Sequence, residues 1–273
     1  MNTLRKSAIA GSWYPGNPSV LRRDIENYFN SAPDLKLKGE VVGLIAPHAG
    51  YIYSGKIAAN AYKLIREKKY DAVIVVGPSH RVAFHGVSVF SSGGFETPLG
   101  VVPVAEDLAE KIKKSNPIIA DIQQAHSQEH SVEIQLPFLQ VALGDFSFLP
   151  LVMGDQDADI CHELARAIYE TAQGKNILIV GSSDLSHFYN YNTAKKMDAV
   201  ALEYMKNGDA AGLLLSLDSG EVEACGGGPM AVVMLVAHMM KADKAYLLQY
   251  ANSGDVTGDK SSVVGYAAAA YCK

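Results

Sequence analysis

Cysteine is scarce in this chain: the three residues Cys161, Cys225 and Cys272 are too few, and odd in number, for a disulfide framework. They are expected as reduced thiols in a cytosolic compartment, where a functional cysteine works as a thiolate. Charge is also sparse, with 19% charged residues and a formal net charge of −5. No clustered basic stretch compensates for the acidic balance, which excludes nucleic acid as a partner. Although 48% of residues are apolar, no apolar run approaches the ~20 residues of a membrane span. A folded, soluble chain with no membrane partner is expected. The opening MNTLRKSAIAGSWYPG has two basic residues but no apolar stretch of signal length before Trp13 and Pro15, so a cytoplasmic location is expected. Linkers rich in Pro, Ser or Gly, internal repeats and domain boundaries are missing too, and one domain over residues 1–273 follows.

What is present is a repeating alternation. Apolar, β-branched runs at 41–46, 72–76, 146–153 and 176–180 each end in a Gly, Pro or Ser turn before a helical pattern. Helices over 56–66, 106–114 and 160–173 separate them, as in a mainly parallel sheet covered on both faces. Two further strands, 245–250 and 263–270, close the chain, the latter patterned for an edge or antiparallel position. The expected fold is α/β, a three-layer α/β/α sandwich with a mainly parallel or mixed sheet.

Three loops carry the chemistry-bearing residues. VVGLIAPHAGYIYSG ends a strand at Pro47 and delivers His48, with Ser54 as a helix N-cap candidate. DAVIVVGPSHR repeats the plan and delivers His80 about 30 residues later, the spacing of a βαβ unit with parallel strands. NILIVGSSDLSHF displays Ser182, Ser183, Asp184 and His187 in the same way. All three loops leave the C-terminal ends of parallel strands, the sheet edge where α/β proteins bind ligands. Imidazoles gathered there are candidates for metal ligation and proton transfer.

EACGGGPMAVVMLVAHMM places Cys225 before three glycines and opens a buried helix near Pro229. A thiol at a helix N-terminus is expected to favour thiolate, so Cys225 is a ligand or nucleophile candidate. AHSQEHSVEIQLPFL spaces His126, His130 and Glu133 at i, i+4 and i+7, one helical face if the segment is helical. Lacking the HExxH pattern, these residues are expected as pocket wall or as a polar helix start that also includes Glu129. Tyr51, Tyr53 and Trp13 are candidates for the pocket lining.

In this order, APHAGYIYSG, GPSHR, EHSVEIQLPFL, GSSDLSH and ACGGGP closely resemble the Memo family, from GSWYPG near the start to NSGDVTGDKSSVVGYAA near the end. In prokaryotes the family is also known as AmmeMemoRadiSam system protein B, which implies a functional association with AMMECR-type and radical SAM proteins. The resemblance further implies a LigB-like fold, shared with class III extradiol dioxygenases whose non-haem iron is held by two histidines and a carboxylate. Carried onto this chain, His48 and His80 become metal ligands, Cys225 takes the carboxylate's place, and His187 matches the acid/base histidine, with Asp184 to orient it. Fe(II) is the first cofactor expected. A thiolate is softer than a carboxylate, so Cu or Zn would also suit the set.

Two functions follow from these residues. One is a metal-dependent, dioxygenase-like oxidoreductase acting on an unknown small molecule, with iron or copper in a mononuclear His/His/Cys pocket. The alternative is a non-enzymatic protein that binds a peptide or protein partner and retains an enzyme-like pocket.

Overall fold

The four central apolar runs become four wholly buried strands, Val41–Ala46, Ala72–Pro78, Phe148–Met153 and Ile177–Ser182. Both faces of each are covered, which is why their sequences are continuously apolar rather than alternating. In the computed structural model, which describes residues 3–273, they run parallel in the order Val41–Ala46, Ile177–Ser182, Ala72–Pro78, Phe148–Met153. Met1 and Asn2, the first residues of the expected 1–273 domain, lie outside the described residues. The strand that feeds the third loop therefore sits between those that deliver His48 and His80. With neighbouring strands about 4.8 Å apart, a side chain on the middle loop can reach both others.

Antiparallel strands extend this core into a nine-stranded mixed sheet. Val263–Cys272 pairs with Val41–Ala46, and Val87–Val89 with Phe148–Met153. The antiparallel expectation for 263–270 holds, but the strand is not at the edge: Lys244–Asn252 covers its outer side. Its run of fully buried alanines, Ala268 to Ala270, suits that interior position. A separate three-stranded sheet joins Leu4–Arg5, Gly94–Thr97 and Gly100–Pro103.

Helices lie on both faces. Pro18–Ser31, Tyr51–Tyr62 and Leu136–Leu143 pack together on one side, and Ala158–Thr171, Ala210–Asp218 and Gly227–Met239 on the other. The fold is thus α/β, with the sheet between two helical layers. The glycines before and under Gly227–Met239 set its distance from the sheet: a Cβ on Gly181 would lie 2.8 Å from the Pro229 carbonyl oxygen. Among the described residues no helix is long and apolar enough to cross a membrane.

Two local expectations are corrected. The helix after His48 starts at Tyr51, ahead of the 56–66 span expected, and its N-cap is Gly50. Ser54 lies inside it and donates its hydroxyl back to the Ala49 carbonyl at 2.9 Å. The Tyr51 amide is satisfied instead by the Trp13 carbonyl at 2.9 Å, so the first turn is capped by a distant segment. The second correction concerns 126–133, which is not one helix. A five-residue helix, Gln123–Ser127, stops, and a 3-10 turn resumes at Glu133–Gln135. The Glu129 carboxylate takes the amides of His130 and Ser131, both at 2.9 Å, and so competes with helical pairing.

Candidate metal centre

His48, His80 and Cys225 come together as the sequence predicts, with their ligand atoms all within 4.8 Å of one another. His48 is buried at the end of Val41–Ala46, and its Nε2 lies 2.9 Å from Cys225 Sγ. The His48 and His80 rings meet edge-on, with centroids 5.1 Å apart at 87°.

Hydrogen bonding fixes which nitrogen of each ring is available. Ser182 Oγ donates its single proton to the Ser131 carbonyl at 2.6 Å and accepts from Gln135 Nε2 at 2.8 Å. It can therefore meet His48 Nδ1, at 3.0 Å, only as an acceptor, so Nδ1 carries the proton and the Nε2 lone pair faces Cys225. Gln135 is itself oriented, since its Nε2 also donates to the Pro47 carbonyl at 3.1 Å and its Oε1 accepts from Tyr62 at 2.7 Å. At His80, Nδ1 lies 2.9 Å from Glu129 Oε1, and the His80 amide donates to Glu129 Oε2 at 2.6 Å. His80 Nε2 is then the ring atom left for a ligand. Two imidazoles, each held through Nδ1, and one thiol form a donor set that fits a single Fe, Cu or Zn ion.

Glu129 and Ser182 are the functional residues that spacing did not single out. A carboxylate aligned with a histidine only after a loop folds back has no sequence period to reveal it. Glu129 also forms, with His80 and His130, a second group whose ligand atoms lie within 4.8 Å. Its Oε1 already accepts from His80, His130 and Ser131, so it acts as a bracket for the His80 loop. Burial would raise the Glu129 carboxyl, but the hydrogen bonds from His80 and Ser131 outweigh that and hold it down at about 2.

The electrostatics of the metal-free pocket favour neutral His48 and His130 rings and a protonated thiol. Burial, reinforced by the neighbouring His80, depresses His48 to about 3. Burial and His48 likewise depress His130 to about 3. Cys225 goes the other way: burial first, then the Asp184 carboxylate, pushes its thiol well up. The thiolate expected from the helix N-terminus is thus outweighed by desolvation. Gln156 pins the cysteine turn, donating to the Cys225 carbonyl at 2.9 Å and accepting the Gly228 amide at 2.8 Å.

The remaining candidates separate. Asp184 does not bond to His187: its Oδ1 accepts the amides of His48 at 2.8 Å and Ala49 at 3.3 Å, bracing the His48 loop. Burial nevertheless raises its carboxyl to about 6. The carboxylate beside His187 is Glu223, whose Oε1 accepts the His187 amide at 3.1 Å and lies 3.6 Å from Nδ1. His130 does belong to the pocket. It stacks on His80 with centroids 4.5 Å apart, and Trp13 covers it at 4.3 Å.

His126, Glu133 and Tyr51 do not line the pocket. His126 Nε2 lies 3.0 Å from Ser88 Oγ, and the ring packs on Phe90 and Phe95. Glu133 forms a fully buried ion pair with Arg5 and accepts from Tyr14 at 2.6 Å. Arg5 also donates to the carbonyls of His126 and Glu129, so the pair straps the N-terminal segment across the His80 bracket. Tyr51 is a core residue, its hydroxyl donating to the Ile134 carbonyl at 2.8 Å and its ring packed on Tyr14 and Phe138.

A family model described as Memo-like protein matches residues 5–270. A MEMO1 family protein of Thermoplasma volcanium is 34% identical over 271 residues, covering 99% of each chain. One from Methanopyrus kandleri is 36% identical over 275 residues, covering 97% of each. Among solved structures, an uncharacterized protein of Escherichia coli K12 aligns with a TM-score of 0.54 at 15% identity, over 84% of this chain and 99% of that one. That likeness is one of fold.

Proposed function

The chain belongs to the Memo family, and from that premise we propose that it is a mononuclear metal protein catalysing an oxidoreduction of a small molecule. His48, His80 and Cys225 are the ligands, with Fe(II) the first choice and Cu or Zn suited to the same donors. The observation that carries this reading is the pair of Nδ1 contacts, from Ser182 to His48 and from Glu129 to His80. The first turns the His48 Nε2 lone pair toward the Cys225 sulfur, and the second leaves His80 Nε2 as the ring atom open to a ligand.

When bound, an iron or copper ion supplies electron transfer and open positions for a small ligand. The protein's part is orientation and proton handling. His48 is neutral at physiological pH because burial depresses it, so its Nε2 is ready to ligate. Cys225 would release its proton to solvent on ligation, while the adjacent His48 Nε2, 2.9 Å away, keeps its lone pair for the same ion. His187 remains partly exposed with Glu223 3.6 Å from its Nδ1, the arrangement of a proton carrier and its positioning carboxylate. Trp13 covers His130, with ring centroids 4.3 Å apart.

Metal analysis after anaerobic purification tests the reading. About one iron or copper per chain, lost in His48→Ala, is expected, with a nitric oxide EPR signal if the metal is Fe(II) with an open position. A chain that stays metal-free with Fe, Cu and Zn each offered removes the proposal.

A further inference from the structure

A cleft of about 550 Å³ lies between the helix Tyr51–Tyr62 and the strand Lys244–Asn252. Ile52, Lys56 and Asn60 line it at i, i+4 and i+8, so they form one stripe of the helix, each about 6 Å along the axis from the next. Gln249 and Ala251 face it from the strand. Asp255 and Val256 join them from the short helix Ser253–Thr257 that follows. None of His48, His80 and Cys225 is among its walls.

The groups around this space are unmatched. Asn60 is only 7% exposed and its carboxamide is half used: Nδ2 donates to the Lys56 carbonyl at 2.8 Å, while Oδ1 has no partner among the described residues. A buried acceptor without a donor costs free energy that a ligand N–H recovers. Lys56 is the one base in the lining, is exposed, and enters no ion pair among the described residues. Asp255 is the one acid, and its carboxylate is held in place by the Tyr191 hydroxyl at 2.8 Å and the Asn252 amide at 2.9 Å. The aliphatic walls are uncovered as well, with Ile52 71% and Val256 50% exposed.

We propose that this cleft is a second binding site, built for a small aliphatic α-amino acid. Lys56 takes the carboxylate, and Asn60 Oδ1 accepts from the ammonium group. Ile52, Ile57 and Val256 supply the surface for a branched alkyl side chain. The two charges in the lining select a zwitterion: a plain carboxylate gains nothing from Asp255, and a plain amine leaves Lys56 without its counter-charge. The volume is in the range of small-molecule sites.

L-Leucine titrated into nitrogen-15-labelled protein, as purified, tests this. Saturable amide shifts are expected within 52–60 and 249–256. 4-Methylpentanoate, isoamylamine and glycine each lack one of the three features, the ammonium, the carboxylate and the branched alkyl group, and each should bind at least about tenfold more weakly. Lys56→Met, a change at an exposed position, should cut leucine affinity about tenfold and leave isoamylamine affinity unchanged. Asn60→Leu should cut leucine affinity by a similar factor while the melting temperature holds or rises, because the unpartnered oxygen is gone. Absence of saturable shifts, shifts confined to other residues, equal binding of leucine and 4-methylpentanoate, or leucine affinity intact in Lys56→Met would overturn the site. None of these results bears on metal ligation, so the cleft and the metal centre stand or fall separately.

Discussion

Ser182→Ala is the most informative single perturbation of the centre. The hydroxyl donates to the Ser131 carbonyl and accepts from both Gln135 and His48, all buried. Removing it leaves the Ser131 carbonyl without this donor and His48 Nδ1–H without its acceptor, while Gln135 Nε2 keeps the Pro47 carbonyl. An orphaned buried group costs about 1–3 kcal/mol, so two of them should lower stability by roughly 2–6 kcal/mol. Nothing then holds the proton on Nδ1, and the tautomer with Nε2 protonated becomes accessible. The loss of such an orienting partner typically weakens metal binding about 10–100-fold. Chemical denaturation of the metal-free protein measures the first effect, and competition with a chelator of known affinity measures the second. Nitrogen-15 NMR of the imidazoles reads the tautomer directly. If Ser182→Ala loses stability but keeps both the parent tautomer and the parent metal affinity, the hydroxyl is structural only and the argument for Nε2 ligation fails at His48.

The other expectations use separate parts of the structure. Above neutral pH, metal affinity should rise about tenfold per pH unit, because Cys225 must lose one proton to ligate while His48, depressed to about 3, has none to lose; a flat profile by chelator competition would show that Cys225 is not a ligand. Glu133→Gln should destabilise the fold by about 3–5 kcal/mol in denaturant titrations, since it leaves buried Arg5 without its counter-charge. Burial raises the Glu133 carboxyl, but Arg5 and the hydrogen bonds from Ser7 and Tyr14 bring it below its usual range. Its contribution is thus present above the unfolded carboxyl value and lost as pH falls through the lower folded one, and Glu133→Gln should remove that acid limb. Asp184 has the opposite sign: burial raises its carboxyl to about 6, so ionising it costs stability as pH rises from ~4 through that value. Asp184→Asn, whose carbonyl can still accept the His48 and Ala49 amides, should flatten that part of the stability profile in thermal melts; an unchanged slope would refute the assignment.

What was legible in the sequence follows from how local the signal is. The continuous apolar runs 41–46 and 72–76 could belong only to buried strands, and His48 and His80 stand immediately after them, so strand and ligand were read together. Helix starts were less legible because their caps came from elsewhere. The Trp13 carbonyl serves the Tyr51 amide across a long sequence separation, and a local N-cap search settled on Ser54 instead. Strand order was not legible either, yet it decides the site. Only because Ile177–Ser182 lies between the two histidine strands does Ser182 reach His48.

The segment from His126 to Glu133 shows why spacing misled. Heptad-like intervals predict one face only if the backbone is helical, and that depends on where its amides go. Glu129 takes two of them, and the chain then turns three titratable side chains in three directions: His126 into the Phe90 and Phe95 cluster, His130 onto His80, and Glu133 onto Arg5. The same carboxylate that breaks the helix holds His80 by its amide and its Nδ1. Removing the bracket should therefore release loop and ligand together. Glu129→Gln is the discriminating change, because its carbonyl oxygen can still accept from one side, whereas its amide cannot accept from the other. If the bracket sets His80, Glu129→Gln should weaken metal binding about 10–100-fold while Glu133→Gln, equally buried but bonded to Arg5, leaves metal affinity near that of the parent at temperatures where both remain folded. Equal losses of affinity in the two variants would mean that the segment acts through global stability, and that no residue within it orients His80.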